Sequence, residues 1–344
     1  MAFKKIKPDS WYASFQFLGE LGLSDDSFTI DETTKNGWNY NSMKISVNCG
    51  SECGIAWAST SIIDGGHSTV KNNPIYSWSK DGDQLNIDWD DRNDLDIIDK
   101  VNGMRLFTFR SGSESKKFIS AYDFVAYAKE NLESGMIVSV RGNIKYDVYK
   151  GDVITKHEIR SINVINNEID TDKYKAEITQ TVLIGENAAD KSDIDKDACT
   201  IEFNARVLQY LSGQVDGKDL THNGTYPLWK KFKFGYAEDK NPVTIMKALF
   251  EPEKGTITQA TFVGKYISGN TTVEMTVDDL PDDIKMMIEL GTIDEEHALI
   301  KAAGNSRGKR EAIFTTIDTK KNKDERDIML FFRKKYKPDD IDLI

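Results

Sequence analysis

Residues 118–165 read FISAYDFVAYAKENLESGMIVSVRGNIKYDVYKGDVITKHEIRSINVI. The stretch opens with a short apolar run, FISAY, that reads as a strand. Phe124, Val125, Ala128 and Leu132 then recur at helical spacing, and Gly135 stops the helix. IVSVRGNIKY alternates apolar and polar residues at strand period and is interrupted at Gly142. A turn at Lys150-Gly151-Asp152 leads into a second alternating strand, HEIRSINVI.

The same order returns further along the chain. Lys231–Tyr236 reads as a strand and Pro242–Phe250 as a helix, with Pro242 suited to a first turn. Gly255 ends that segment, Phe262-Val263-Gly264 supplies the interrupted strand, and Ser268-Gly269-Asn270 supplies the turn. Two long alternating segments precede each copy: 12–21 and 38–48 in the first, 176–186 and 199–211 in the second. Matching order at slight identity marks two copies of one unit. Two strands, a third strand, a helix and a closing hairpin make the order of a five-stranded OB barrel.

The expected fold is therefore mainly β with minor α: two tandem OB-fold barrels, residues 1–168 and 176–280, joined by a polar linker at 169–175. The first barrel carries a hairpin insertion at 76–99, and the segment SDDSFTIDETTKNG is read as a polar turn. Residues 281–336 extend the second barrel with a helix and a hairpin of EAIFTTID against DIMLFFRKKY, and 337–344 form an acidic tip.

A chain of 344 residues suits two domains with real cores, and 16 Phe, 13 Tyr and 6 Trp make it rich in aromatics. No apolar run approaches the roughly 20 residues of a membrane span. The N-terminus MAFKKIKPDSW has no apolar core of a secretory signal, and Cys49, Cys53 and Cys199 fit a reducing cytosol. The net charge of −11 weighs against nucleic acid only at long range, because phosphate binding needs one local basic groove.

The repeated stretch resembles the single-stranded DNA-binding protein family of OB-fold replication proteins. Their pattern is a helix ending in Lys/Ser-Gly, a V-x-V-x-G-x-L strand, a hairpin, and an I-x-V strand. Here the matching residues are Ser134-Gly135, Val138-Ser139-Val140-Arg141-Gly142-Asn143-Ile144, Gly151, and Ile159 to Val164. The second copy offers Lys254-Gly255, Val263-Gly264-Lys265-Tyr266 and Val273-Glu274-Met275. The family's usual unit is one shorter OB domain, so the tandem arrangement looks more like a phage replication form. The resemblance implies a phage-encoded, non-enzymatic protein of the host cell cytoplasm. It would coat single-stranded DNA in replication, recombination or repair, with no cofactor.

Single strands are held by cations that track phosphates and by aromatics on which bases stack, each stacked base worth about 1–3 kcal/mol. The candidates are Arg105, Arg110, Lys116, Lys117, Arg141, Lys145, Tyr146, Tyr149 and Lys150 in the first half. In the second they are Trp229, Lys230, Lys231, Lys233, Lys265 and Tyr266. Lys231 and Lys233 share one strand face while Phe232 and Phe234 share the other, and inward aromatics are core more often than platforms. Tyr146, Tyr149 and Trp229 lie near strand ends, where exposure is expected. The tip Asp339, Asp340, Ile341, Asp342, Leu343, Ile344 resembles the acidic, apolar-ended tail by which the family recruits partners.

Other chemistry is weakly signalled. Cys49 and Cys53 lack a second pair of zinc ligands, and His67 alone does not supply one. The run Asp88, Asp90, Asp91, Asp94, Asp96 lacks the glycine and closing glutamate of a calcium loop, so it reads as a solvated insertion that repels nucleic acid from its face. No phosphate-loop, dinucleotide or Ser-His-Asp motif is present. Two rivals stand beside the DNA reading: a phage structural or interaction protein using OB barrels as scaffold, and a metal-dependent nuclease built on Asp88–Asp96.

Overall fold

Alternation becomes strand in both halves, and the fold is mainly β. The computed structural model describes residues 11–60, 66–268, 285–286, 288, 310–317 and 334–336. The first half holds β1 (Ala13–Gly22), β2 (Phe28–Thr33), β3 (Asn39–Asn48), β4 (Ile55–Ser59), β5 (Ile75–Trp78) and β6 (Gln84–Ile87). It continues through α1 (Leu95–Ile98), β7 (Phe107–Ser111), β8 (Glu114–Phe118), α2 (Ala121–Asn131), β9 (Ile137–Tyr149) and β10 (Asp152–Val164). The second half holds β11 (Lys175–Ile184), β12 (Ile194–Asp195), β13 (Thr200–Leu211), β14 (Gln214–Val215), β15 (Lys218–Asp219) and β16 (Gly224–Gly235). Then follow α3 (Pro242–Phe250), β17 (Ile257–Ser268), β18 (Arg310–Ile317) and β19 (Lys334–Tyr336).

Pairing in the first half runs β1–β3–β4–β10–β9 and returns to β1, with β4 parallel to β10 through Glu158 and Ser59. In the second it runs β11–β13–β16–β18–β17 and returns to β11, again with one parallel contact, β16 to β18. Both circuits have an OB-like strand order, with the helix between the third and fourth strands. Gly142 pairs with Phe15 and Gly264 with Ile178. Opposite each glycine the partner strand bulges by one residue, Arg160 in β10 and Thr315 in β18. A Cβ on Gly142 would lie 1.9 Å from the Glu158 carbonyl oxygen, and one on Gly264 2.2 Å from that of Ile313. Only glycine permits so close an approach of two backbones.

The halves join through β1 and β11, antiparallel over Ala13–Leu18 and Lys175–Gln180, with Phe15 facing Ile178. The pairings on the two sides of that pair match, Phe15 meeting Gly142 as Ile178 meets Gly264. One apolar core runs through both halves. Helix α2 packs Phe124 on Phe107 and Phe118, and α3 packs Phe250 on Phe203 with ring centres 4.2 Å apart. A smaller core of Ile75, Ile87, Trp89, Ile98, Val101, Leu106 and Ile119 holds the insertion.

Several sequence expectations are corrected. FISAY is not a strand of its own: β8 ends at Phe118, and Ser120 caps α2 by accepting from the Tyr122 amide. The polar segment after β1 contains β2, which pairs with β3, since Phe28 and Ile30 gain apolar contacts there. The described part of DIMLFFRKKY, β19, pairs with β17 rather than with β18, whose two edges are taken by β16 and β17. The turn at 268–270, the helix expected after 281 and the acidic tip 339–344 lie outside the described residues, apart from Ser268 and three positions of that helix.

Candidate nucleic-acid interface

Strand parity places Arg141, Asn143 and Lys145 on the outer face of β9, because Val140, Gly142 and Ile144 turn inward. Beside them the bulge in β10 turns Arg160 outward while Ile159 and Ile162 both stay buried. Arg110 comes from the outer face of β7, which runs parallel to the end of β10, and Arg105 from the helical turn before it. The opposite wall belongs to the β5–β6 hairpin of the insertion. Its inner face buries Ile75 and Ser77, and its outer face exposes Tyr76 (67%) and Trp78.

Together these elements enclose an open groove of about 800 Å³ lined by Arg105, Arg110, Arg141, Lys145, Arg160 and Tyr76, with no carboxylate in its lining. Arg160 pairs with Glu158, and its guanidinium lies 4.7 Å from the centre of the Phe107 ring. Among the described residues, Arg105, Arg110, Arg141 and Lys145 form no ion pair. Four of the five groove cations thus carry charge that no carboxylate pairs, in a protein of net −11.

Four of the sequence candidates thus converge. Lys116 and Lys117 lie on the neighbouring edge strand β8, outside the groove lining; Lys117 pairs with Asp99, and Lys116 stands 4.4 Å from the Tyr127 ring. Tyr149 (58% exposed) and Lys150 form the tip of the β9–β10 hairpin, the ammonium 5.2 Å from the ring. Tyr146 is corrected: it is only 5% exposed, and its hydroxyl donates to Gln180 Oε1 at 2.7 Å across the junction of the halves. Tyr146 lies on the inward face of β9, which past Gly142 meets the second half, so it offers no face to a base.

The second-half lysines are occupied internally. Lys231 pairs with Glu202 at 2.7 Å and Lys233 with Glu311 at 3.0 Å, while Lys265 pairs with Glu52 of the first half. The partner carboxylates hold the Lys231 and Lys265 ammonium groups above their usual range. Lys230 donates to the Val153 carbonyl at 2.8 Å, and burial pushes its pKa down. Tyr266 stacks on Phe17 at 5.9 Å. Trp229 stays 52% exposed with the Arg206 guanidinium 4.2 Å from its ring centre, and Trp57 is exposed on β4 under Lys44. Phe232 and Phe234 are buried opposite the lysine face.

Sequence reading missed Arg160, Tyr76 and the role of the insertion. Strict alternation puts Arg160 on the buried face with Ile162, and only the bulge frees it. The insertion's hairpin walls the groove with Tyr76, while none of Asp88, Asp90, Asp91, Asp94 or Asp96 lines it. Among the described residues no three His, Cys, Asp or Glu side chains converge to hold a metal ion. Cys49 and Cys53 are buried free thiols, and burial raises the Cys49 pKa to about 12.

No protein-family model matches the chain, and no curated protein matches it. Among solved structures it is similar to a deletion mutant of the single-stranded DNA binding protein from Thermus aquaticus, with a TM-score of 0.32 and 7% identity over 75% of this chain and 88% of that one. No helix among the described residues is long and apolar enough to cross a membrane.

Proposed function

We propose that the chain binds single-stranded DNA, with little sequence preference, in the groove between β7, β9, β10 and the β5–β6 hairpin. The observation that carries this reading is the convergence of five cations, four of them without an ion pair among the described residues, on one open groove with no carboxylate in its lining and an exposed tyrosine on its rim. Cations spaced along strands suit a phosphate backbone, and a rim aromatic suits an unstacked base, which a duplex does not present. Contacts of both kinds are indifferent to base identity.

In this reading the two pairing circuits are tandem OB barrels, and the acidic tip Asp339–Ile344 is a handle for protein partners. A non-enzymatic role in phage DNA replication, recombination or repair in the host cytoplasm rests on the sequence resemblance alone. The test is tryptophan fluorescence and labelled-oligo(dT) anisotropy in one buffer. Quenching and an anisotropy rise that both reverse with salt are expected. A flat response in both removes the DNA reading and favours a scaffold role.

A further inference from the structure

The matching pairings make the two halves comparable residue by residue. Phe15 corresponds to Ile178 and Gly142 to Gly264, and tracing the pairings around each circuit returns to the same correspondence. Glu20 pairs with Asn48 and Asn48 with Ile55; Leu183 pairs with Arg206 and Arg206 with Trp229. Ser59 meets Glu158 just before Ile159, and Lys233 meets Ile313 just before Phe314. The backbones therefore correspond down to the bulge opposite the glycine.

The side chains of the groove do not. Arg141 corresponds to Val263, Lys145 to Ile267, and the bulge residue Arg160 to Thr315. Arg105, Arg110 and the Tyr76 wall come from the long segment between β4 and α2, which includes the insertion. The second half has no counterpart to it, since β16 ends at Gly235 and α3 begins at Pro242. Of the lysines on β16, Lys231 and Lys233 are closed by Glu202 and Glu311, and Lys230 is held by the Val153 carbonyl. Trp229 remains open, yet its neighbouring cation, Arg206, is itself largely buried, which lowers its pKa.

We infer that, among the described residues, the chain has one strand-binding groove rather than two equivalent ones: the first half reads the strand, and the second half, which lacks the groove's side chains at the corresponding positions, braces the first. This rests on the reading of the groove as a single-strand site. Bracing is visible where Lys265 reaches Glu52, Lys230 reaches Val153, and Asp216 accepts from the Lys150 and Gly151 amides.

Two variants of the full chain test it, each checked for unchanged circular dichroism and thermal midpoint. Arg110→Gln/Arg141→Gln/Lys145→Gln empties the groove. Lys231→Gln/Glu202→Gln with Lys233→Gln/Glu311→Gln removes both ion pairs of the β16 lysines without altering net charge. Against labelled oligo(dT) at low salt, the groove variant is expected to lose about 30- to 100-fold in affinity, the scale of three lost phosphate contacts, and the second variant less than about threefold. Short oligo(dT) saturates at one strand per chain. Equal loss in both variants, or two strands per chain, overturns the single-groove inference while leaving single-strand binding intact. Absence of binding by the unaltered chain removes the underlying reading, and the inference with it.

Discussion

Phe15 of β1 faces Ile178 of β11 in the antiparallel pair that joins the halves, and each is also the cross-strand partner of a mid-strand glycine, Gly142 and Gly264. Each joining strand is thus paired along both edges there. Pulling the halves apart would expose two apolar strand edges, an aggregation-prone surface that folded proteins avoid. The junction belongs to the core, and the groove is built on a rigid frame.

Gly142→Ala places a methyl carbon against the Glu158 carbonyl and is expected to destabilise by about 2–3 kcal/mol through forced backbone movement. Gly151→Ala, at φ +84° with open space around it, meets strain without a clash and costs about 1 kcal/mol. Thermal unfolding of the two variants should rank them in that order. Equal midpoints would contradict close approach as the reason for Gly142.

The insertion is fastened at Trp89. His67 stacks on one face of the indole at 4.9 Å, the Arg92 guanidinium lies 4.0 Å from the ring centre, and Arg92 grips Asp123 of α2 with two hydrogen bonds of 2.7 and 3.1 Å. Arg92→Ala should loosen residues 75–105 by about 2 kcal/mol, the scale of charge-assisted bonds in a partly exposed site. Faster amide exchange confined to that segment, with weaker oligo(dT) binding, is the expected result.

Tyr146 gives an alkaline signature. Burial raises its pKa far above the ordinary value of 10.0. The folded state keeps the proton where the unfolded chain has lost it, so stability is full below pH 10 and declines as pH rises above it. Tyr146→Phe loses the bond to Gln180, about 1 kcal/mol at neutral pH, and should decline less steeply above pH 10 than the unaltered chain. Parallel alkaline profiles for the two would show that Tyr146 ionises freely when folded.

Asp216 joins the hairpin tips of the two halves, its carboxylate accepting from the Lys150 amide at 2.5 Å and the Gly151 amide at 2.9 Å. Both donors have positive φ, as a two-residue hairpin turn of this type requires. Asp216→Ala should speed exchange of those two amides and cost about 1 kcal/mol. Unchanged exchange would mean the turn holds itself.

Much of the frame was legible in the sequence. Gly142 and Gly264 interrupt otherwise clean alternation, and Pro242 marks the start of α3. Lys150-Gly151 form the turn they suggest. What escaped depends on departures from strand period or on distant partners. The bulge at Arg160 reverses parity for one residue, and Tyr146 is buried by a half of the chain that local pattern does not reveal. The lysines of β16 read as a basic run until Glu202 and Glu311 arrive from neighbouring strands. Charge in sequence marks candidates; pairing in space decides which of them stay free.

The most direct test is the salt dependence of oligo(dT) binding by the unaltered chain and by Arg110→Gln/Arg141→Gln/Lys145→Gln. Each phosphate contact contributes a slope of about −0.7 to log affinity against log salt on a single strand, so removing three cations should make the line shallower by about 2. That change would assign the phosphate contacts to the groove. An unchanged slope, or no binding by the unaltered chain at low salt, would contradict the groove as the strand-binding site.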